Sequence, residues 1–80
     1  MRLDKFLKVS RIIKRRSVAK EIADQGRILI NNRPAKSSSQ VVAGDTLTIM
    51  FGNKTETVKV NQIVETTKKI EAENMYKIID

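Results

Sequence analysis

The sequence predicts an α+β fold, with two N-terminal helices packed on a small, mostly antiparallel sheet and a short helix at the C-terminus. Three observations carry that expectation. Apolar residues recur at helical spacing ahead of Gly26; the period then shortens to strand-like alternation; and turns rich in Gly and Asn separate the alternating runs. Eighty residues are too few for two independent cores, so residues 1–80 read as one domain. A core of that size supplies roughly 3 to 5 kcal/mol.

The elements follow in order. Leu3, Phe6 and Leu7 recur at helical spacing, which makes residues 2–9 a short amphipathic helix with Arg2, Lys5 and Lys8 toward its other side. A second helix is marked by Ser17 as N-cap, by Val18 and Ile22 one turn apart, and by Gly26 just past its end. Between them a basic connector, residues 10–16, carries Arg11, Lys14, Arg15 and Arg16, with Ile12 and Ile13 anchoring it to the core. "RILIN" is a compact aliphatic strand, and "NNRP" has turn chemistry, since Asn tolerates positive φ and Pro34 sets its own. Pro34 and the Ser37 to Ser39 run mark an irregular or edge segment. A turn at Gly44 and Asp45 leads into a strand over residues 46–51, with Leu47, Ile49 and Phe51 on one face. "GNK" turns the chain back into a partner strand in which Val58, Val60 and Gln62 alternate with Lys59 and Asn61. Ile70, Met75, Tyr76 and Ile79 then repeat at approximate helical spacing over residues 66–80, the basis of the expected C-terminal helix.

Composition excludes several function classes. There is no cysteine to form disulfides or bind metal as thiolate, and no histidine, which removes the commonest general base and metal ligand together. No phosphate-cradling glycine loop, dinucleotide fingerprint or metal-ligand spacing occurs, so the chain reads as a non-enzyme without metal or cofactor. "MRLDKFLK" lacks the apolar run of a signal peptide and no segment is long enough to span a bilayer, which reads as a cytoplasmic protein with no membrane partner.

The charge is one-sided. Residues 1–36 hold eleven Lys or Arg against three acids, a net +8; residues 37–80 hold five against six, a net −1. Concentrating like charges costs self-repulsion, so this asymmetry points to a polyanionic partner over a merely solvated basic face. Arg suits forked hydrogen bonding to phosphate oxygens and Lys supplies point charge; both types are present, and Ser17 with the first amides of the second helix adds an anion-friendly helix start. Duplex DNA is the weaker choice. As a major-groove reader "SVAKEIADQ" offers Lys20 and Gln25 but also presents Glu21 and Asp24, which a duplex repels. Phe6, Phe51 and Tyr76 all sit at core-like positions, so stacking on splayed bases lacks support. Structured RNA read through its backbone is the best reading; a DNA-binding protein, a general ribosomal RNA-binding or assembly protein, and a docking surface for an acidic protein are the rivals.

The segment "MRLDKFLKVSRIIKRRSVAKEIADQGRILIN", followed by "AKSSSQVVAGDTLTI", resembles the S4 RNA-binding domain. The pattern R-L-D-K-F-L, a basic loop, R-S-x-A-K, G-R-I-x-I-N and then G-D covers about residues 1–50, its core motif. Among stand-alone members the sequence is most similar to the heat-shock-protein-15 group and to its short type, whose length it shares. Asn32 stands where many members carry Gly. The resemblance implies an S4-type fold with its αL motif, and a monomeric partner of the large ribosomal subunit that meets ribosomal RNA and peptidyl-tRNA. It also implies a role in ribosome-associated quality control, supporting alanine-tail elongation beside a tail-synthesising factor. Carried over, the RNA-facing positions are Arg2, Asp4, Lys5, Arg11, Arg15, Arg16, Ser17 and Lys20, with Arg2 and Arg16 foremost, and Lys8 and Lys14 complete the basic surface. Asp4 either meets RNA or buttresses Arg2 or Arg16. Leu3, Phe6, Leu7, Ala19, Ile22 and Ile28 fall on the implied packing face.

Overall fold

The structure is a computed structural model, and it describes residues 1–63 and 74–79. Helix α1, Leu3–Val9, forms where Leu3, Phe6 and Leu7 share one stripe, and all three are fully buried. Asp4 in its first turn and Lys8 in its last complement the helix dipole. The chain leaves α1 through Ser10 and through Arg11, whose φ of 63° lies in the left-handed region. Helix α2, Arg16–Asp24, ends in a Schellman arrangement: the N–H of Gly26 (φ 80°) donates to Ala23 and that of Arg27 to Ile22.

Two local expectations for α2 need correction. Its N-cap is Arg15, not Ser17, because the Arg15 carbonyl already accepts from the Ala19 N–H; Ser17 is the second helical residue and caps nothing. Val18 is exposed, and the packing stripe runs instead through Ala19 and Ala23 with Ile22 half-buried, since small side chains let α2 lie close to its neighbours.

Among the described residues five strands form one antiparallel sheet in the order β2-β1-β3-β4-β5. They are β1 Ile28–Ile30, β2 Arg33–Pro34, β3 Thr46–Phe51, β4 Lys54–Val60 and β5 Tyr76–Ile78. The β1–β2 link is two residues, Asn31 (φ 52°) and Asn32 (φ 67°), both left-handed, the geometry of a type I′ hairpin. Asn32 therefore holds the conformation that glycine adopts most cheaply, and Asn is the side chain that tolerates it next best. Pro34 lies on the sheet edge, where its missing N–H costs no ladder bond.

Alternation along β3 and β4 turns Leu47, Ile49, Val58 and Val60 inward, with Leu47 directly opposite Val58. They pack with Phe6, Leu7 and Ile28 into one core, to which Ile13 is added from the connector and Phe51 at the margin. Gln62 falls beyond the end of β4 and is exposed. Ile49→Val removes one buried methylene, so we expect a loss of about 1 kcal/mol. In a domain this small that lowers the thermal midpoint by about 4 to 8 °C, measurable by circular dichroism.

The C-terminus corrects the expected helix. Tyr76–Ile78 is a strand on the free edge of β4, registered Val58 to Ile78 and Val60 to Tyr76. The Asn61 N–H donates to Met75 and the Ile79 N–H to Thr57, extending the ladder at both ends, and Met75 is fully buried. An open β4 edge beside an apolar core satisfies more backbone groups than an isolated helical turn. Residues 66–73 and 80, the remainder of that stretch, lie outside the described residues.

Candidate nucleic-acid interface

The site begins with how the start of α1 is held. Helix starts expose N–H groups that need acceptors, and here the Leu3 N–H donates to the Ser39 carbonyl (2.8 Å) and the Asp4 N–H to the Ser37 carbonyl (3.2 Å). The Val41 N–H donates back to Met1 (2.8 Å), and Arg2 forms a β-bridge with Gln40. Residues 37–41 thus act as a short strand-like template that fixes the backbone from which Arg2 and Asp4 project.

Asp4 is buried, an unusual place for a carboxylate unless it is partnered. Its Oδ1 accepts from Arg2 Nε (3.2 Å), from Arg16 Nη2 (3.3 Å) and from the Lys5 backbone N–H (2.8 Å), while Oδ2 accepts from Arg2 Nη2 (3.4 Å). Burial pushes its pKa upward, but the hydrogen bonds from Arg16, Arg2 and the Lys5 N–H, together with the Arg16 charge, outweigh that and hold it below the usual carboxylate value. Both guanidinium groups remain about half exposed, 46% and 47%, against 4% for the Asp4 side chain. One carboxylate therefore braces two cations from two different helices, and each guanidinium, with five N–H donors, keeps donors turned to solvent. Of the two sequence readings of Asp4, the geometry is that of the buttress.

The remaining sequence-selected residues fall around this centre. Lys20 lies one turn beyond Arg16 on the same side of α2 and pairs with Asp24 at 3.0 Å. Arg15, Arg16 and Ser17 are exposed at the start of α2, and Lys14 and Arg11 are exposed on the connector. Lys5 and Lys8 are half-buried on α1. Arg11 keeps a left-handed φ at the position after a helix where Gly is cheapest. The structure thus brings Arg2, Asp4 and Arg16 into one hydrogen-bonded unit and sets Lys20 one helical turn from Arg16, while Lys8 lies in the last turn of α1 and Arg11 and Lys14 lie on the connector between the helices.

Residue-by-residue reading of the sequence missed a supporting contact. Asp24 accepts from the Ser37 N–H (3.0 Å) and Ser37 Oγ (3.1 Å) as well as from Lys20, so α2 holds the template segment that holds α1. The Ser37 N–H, then Lys20 and the Ser37 hydroxyl, bring the Asp24 pKa down to about 2 from 3.8. A carboxyl whose folded pKa is depressed adds stability that is present above its unfolded pKa and is lost as pH falls through the folded value. We expect the thermal midpoint to fall between about pH 4 and pH 2, and Asp24→Asn to flatten part of that fall. An unchanged profile in the variant would remove the carboxylate from this role. No local signal marks the pair, because thirteen residues separate its members.

Among the described residues no helix is long and apolar enough to cross a membrane, and no group of three or more His, Cys, Asp or Glu could hold a metal ion.

A family model described as the S4 domain matches residues 1–47, the span that contains both helices, Asp4 and its two arginines. The chain is 66% identical over 79 residues to the RQC P-site tRNA stabilizing factor of Bacillus subtilis (strain 168), covering 99% of this chain and 92% of that protein. It is 38% identical to Heat shock protein 15 of Escherichia coli (strain K12), covering 81% of this chain and 49% of that protein. The trimeric structure of Vibrio cholerae Heat Shock Protein 15 superposes with a TM-score of 0.89 at 30% identity, covering 99% of this chain and 81% of that one. On these grounds, the family model over residues 1–47, the relative at 66% identity and the superposed fold, the chain belongs to the S4-domain family.

Proposed function

We propose that this protein is a non-enzymatic, monomeric, single-domain RNA-binding factor of the cytoplasm that binds the large ribosomal subunit. In this reading it contacts ribosomal RNA and peptidyl-tRNA and supports poly-alanine tailing of stalled nascent chains beside a tail-synthesising factor. The observation that carries the reading is the Arg2–Asp4–Arg16 unit: a buried carboxylate fixing two half-exposed guanidinium groups that retain phosphate-binding donors. Two further observations support it. Arg11 occupies a strained left-handed position just past the end of α1, where glycine would cost less. The relatives of the chain include proteins named for stabilising P-site tRNA. Major-groove DNA reading is disfavoured by the exposed Glu21 and Asp24 on α2.

The test is co-sedimentation with separated small and large subunits, with and without peptidyl-tRNA. Binding confined to large subunits, and strengthened by bound tRNA, is the expected result. Equal, weak binding to both subunits would reduce the protein to a general basic RNA adhesive and defeat the tRNA-stabilising role.

A further inference from the structure

Among the described residues the sheet has a second face, opposite the core on which α1 and α2 pack. Register places Thr46, Lys59 and Lys77 in one row across β3, β4 and β5, on the side opposite the inward residues Leu47, Val58 and Val60. Thr57 lies in the adjacent row, and Arg27 extends the same face at the start of β1, where its carbonyl accepts from the Met50 N–H. Lys59, Lys77 and Arg27 are exposed, and none of them forms an ion pair among the described residues. No carboxylate occupies a register position on this face among the described residues; Asp45, at its margin, is taken up by Asn31 and the Val42 N–H.

Lys59 and Lys77 stand directly opposite each other on neighbouring strands. Side chains so placed have Cβ atoms about 5 Å apart, and like charges there repel. The repulsion becomes attraction when an anion sits between the two ammonium groups, and the Thr46 hydroxyl in the same row adds a neutral donor. Lys and Thr side chains are regular partners of phosphate oxygens, and a flat row of spaced donors suits a backbone whose charges recur at fixed intervals. We propose that this open face is a second RNA contact, in which Lys59, Lys77 and Thr46 hold a backbone phosphate on the opposite side of the sheet from Arg2 and Arg16. This rests on the RNA-binding reading above and extends it: the protein bridges two RNA segments.

The experiment compares wild type, Lys59→Gln/Lys77→Gln, Lys59→Arg/Lys77→Arg and Arg16→Ala in a salt series, on intact large subunits and on their protein-free ribosomal RNA. Each phosphate contact contributes roughly 0.7 to 0.9 to the log–log salt slope, so loss of the one phosphate held between the two lysines lowers the slope of the Gln pair by about that amount on both targets. The Arg pair keeps the slope. The thermal midpoint of the Gln pair stays level or rises, because the opposed charges are gone. An unchanged slope for the Gln pair, with Arg16→Ala still losing binding, overturns the second surface and leaves the proposed function standing. A slope reduced on intact subunits but not on protein-free RNA means that an acidic protein occupies the face, and overturns the RNA assignment. A slope lowered equally by the Arg pair excludes charge as the cause and overturns it too. Failure of wild type to bind either target overturns both the function and the surface.

Discussion

Arg16→Ala is expected to weaken association with the large subunit by roughly tenfold to a hundredfold, the loss of one charge-assisted phosphate contact, and by more if the contact is bidentate. The melt should hardly move. Arg16 is half exposed, so its pair with Asp4 is screened and contributes well under the value of a buried bridge, and Asp4 keeps Arg2 and the Lys5 N–H as partners. A collapse of the thermal midpoint alongside the binding would instead make Arg16 a structural residue. Asp4→Asn provides the sharper contrast. It raises the net positive charge, so a contact driven by charge alone would tighten. If the aspartate is a brace, the two guanidinium groups lose the negative charge between them and one of its two acceptor oxygens, repel each other and splay, and binding weakens despite the added charge. Filter binding to large subunits with both variants separates these outcomes by sign.

The second large effect is on ionic strength. If about six cations of the basic half neutralise phosphates, raising salt from about 50 to about 200 mM weakens binding by on the order of a thousandfold. A shallow dependence, tenfold or less across that range, would mean that few phosphates are engaged and that the contact is not to an RNA backbone. Arg16→Ala should lower the log–log slope by about 1, whereas a core substitution such as Ile49→Val should leave it unchanged. The two measurements together distinguish a contact residue from one that acts through stability.

The places where the sequence was legible share a physical character. Leu3, Phe6 and Leu7 announce α1 because a helical stripe is a local pattern, and Asn31–Asn32 announce their turn because few side chains accept positive φ. The β3–β4 hairpin was legible for the same reason: its period of two and its two-residue turn are contained within fifteen residues. Expectations failed where distant partners decided. Ser17 is a good N-cap residue by type, yet the cap falls two residues earlier, at Arg15, with Arg16 already bound to Asp4. Val18 is apolar, yet Ala19 and Ala23 hold the packing stripe. Met75 and Tyr76 have helix-like spacing with Ile79, yet the unfilled edge of β4 draws them into the sheet.

The candidate site divides in the same way. Composition and order alone determined that the first half of the chain is strongly basic, that histidine and cysteine chemistry is absent, and that the S4 pattern runs through Arg2, Asp4, Arg16, Ser17 and Lys20. Only the tertiary structure decided which of those charges act together. Arg2 and Arg16 meet across fourteen residues of chain because α1 and α2 pack side by side and one buried carboxylate accepts from both. The Asp24–Ser37 clasp and the Lys59–Lys77 row likewise exist through strand register and helix packing. Hydrophobic periodicity is written in neighbouring residues and can be read from them. Electrostatic pairing depends on distance in space, which a linear sequence does not contain until the fold is closed.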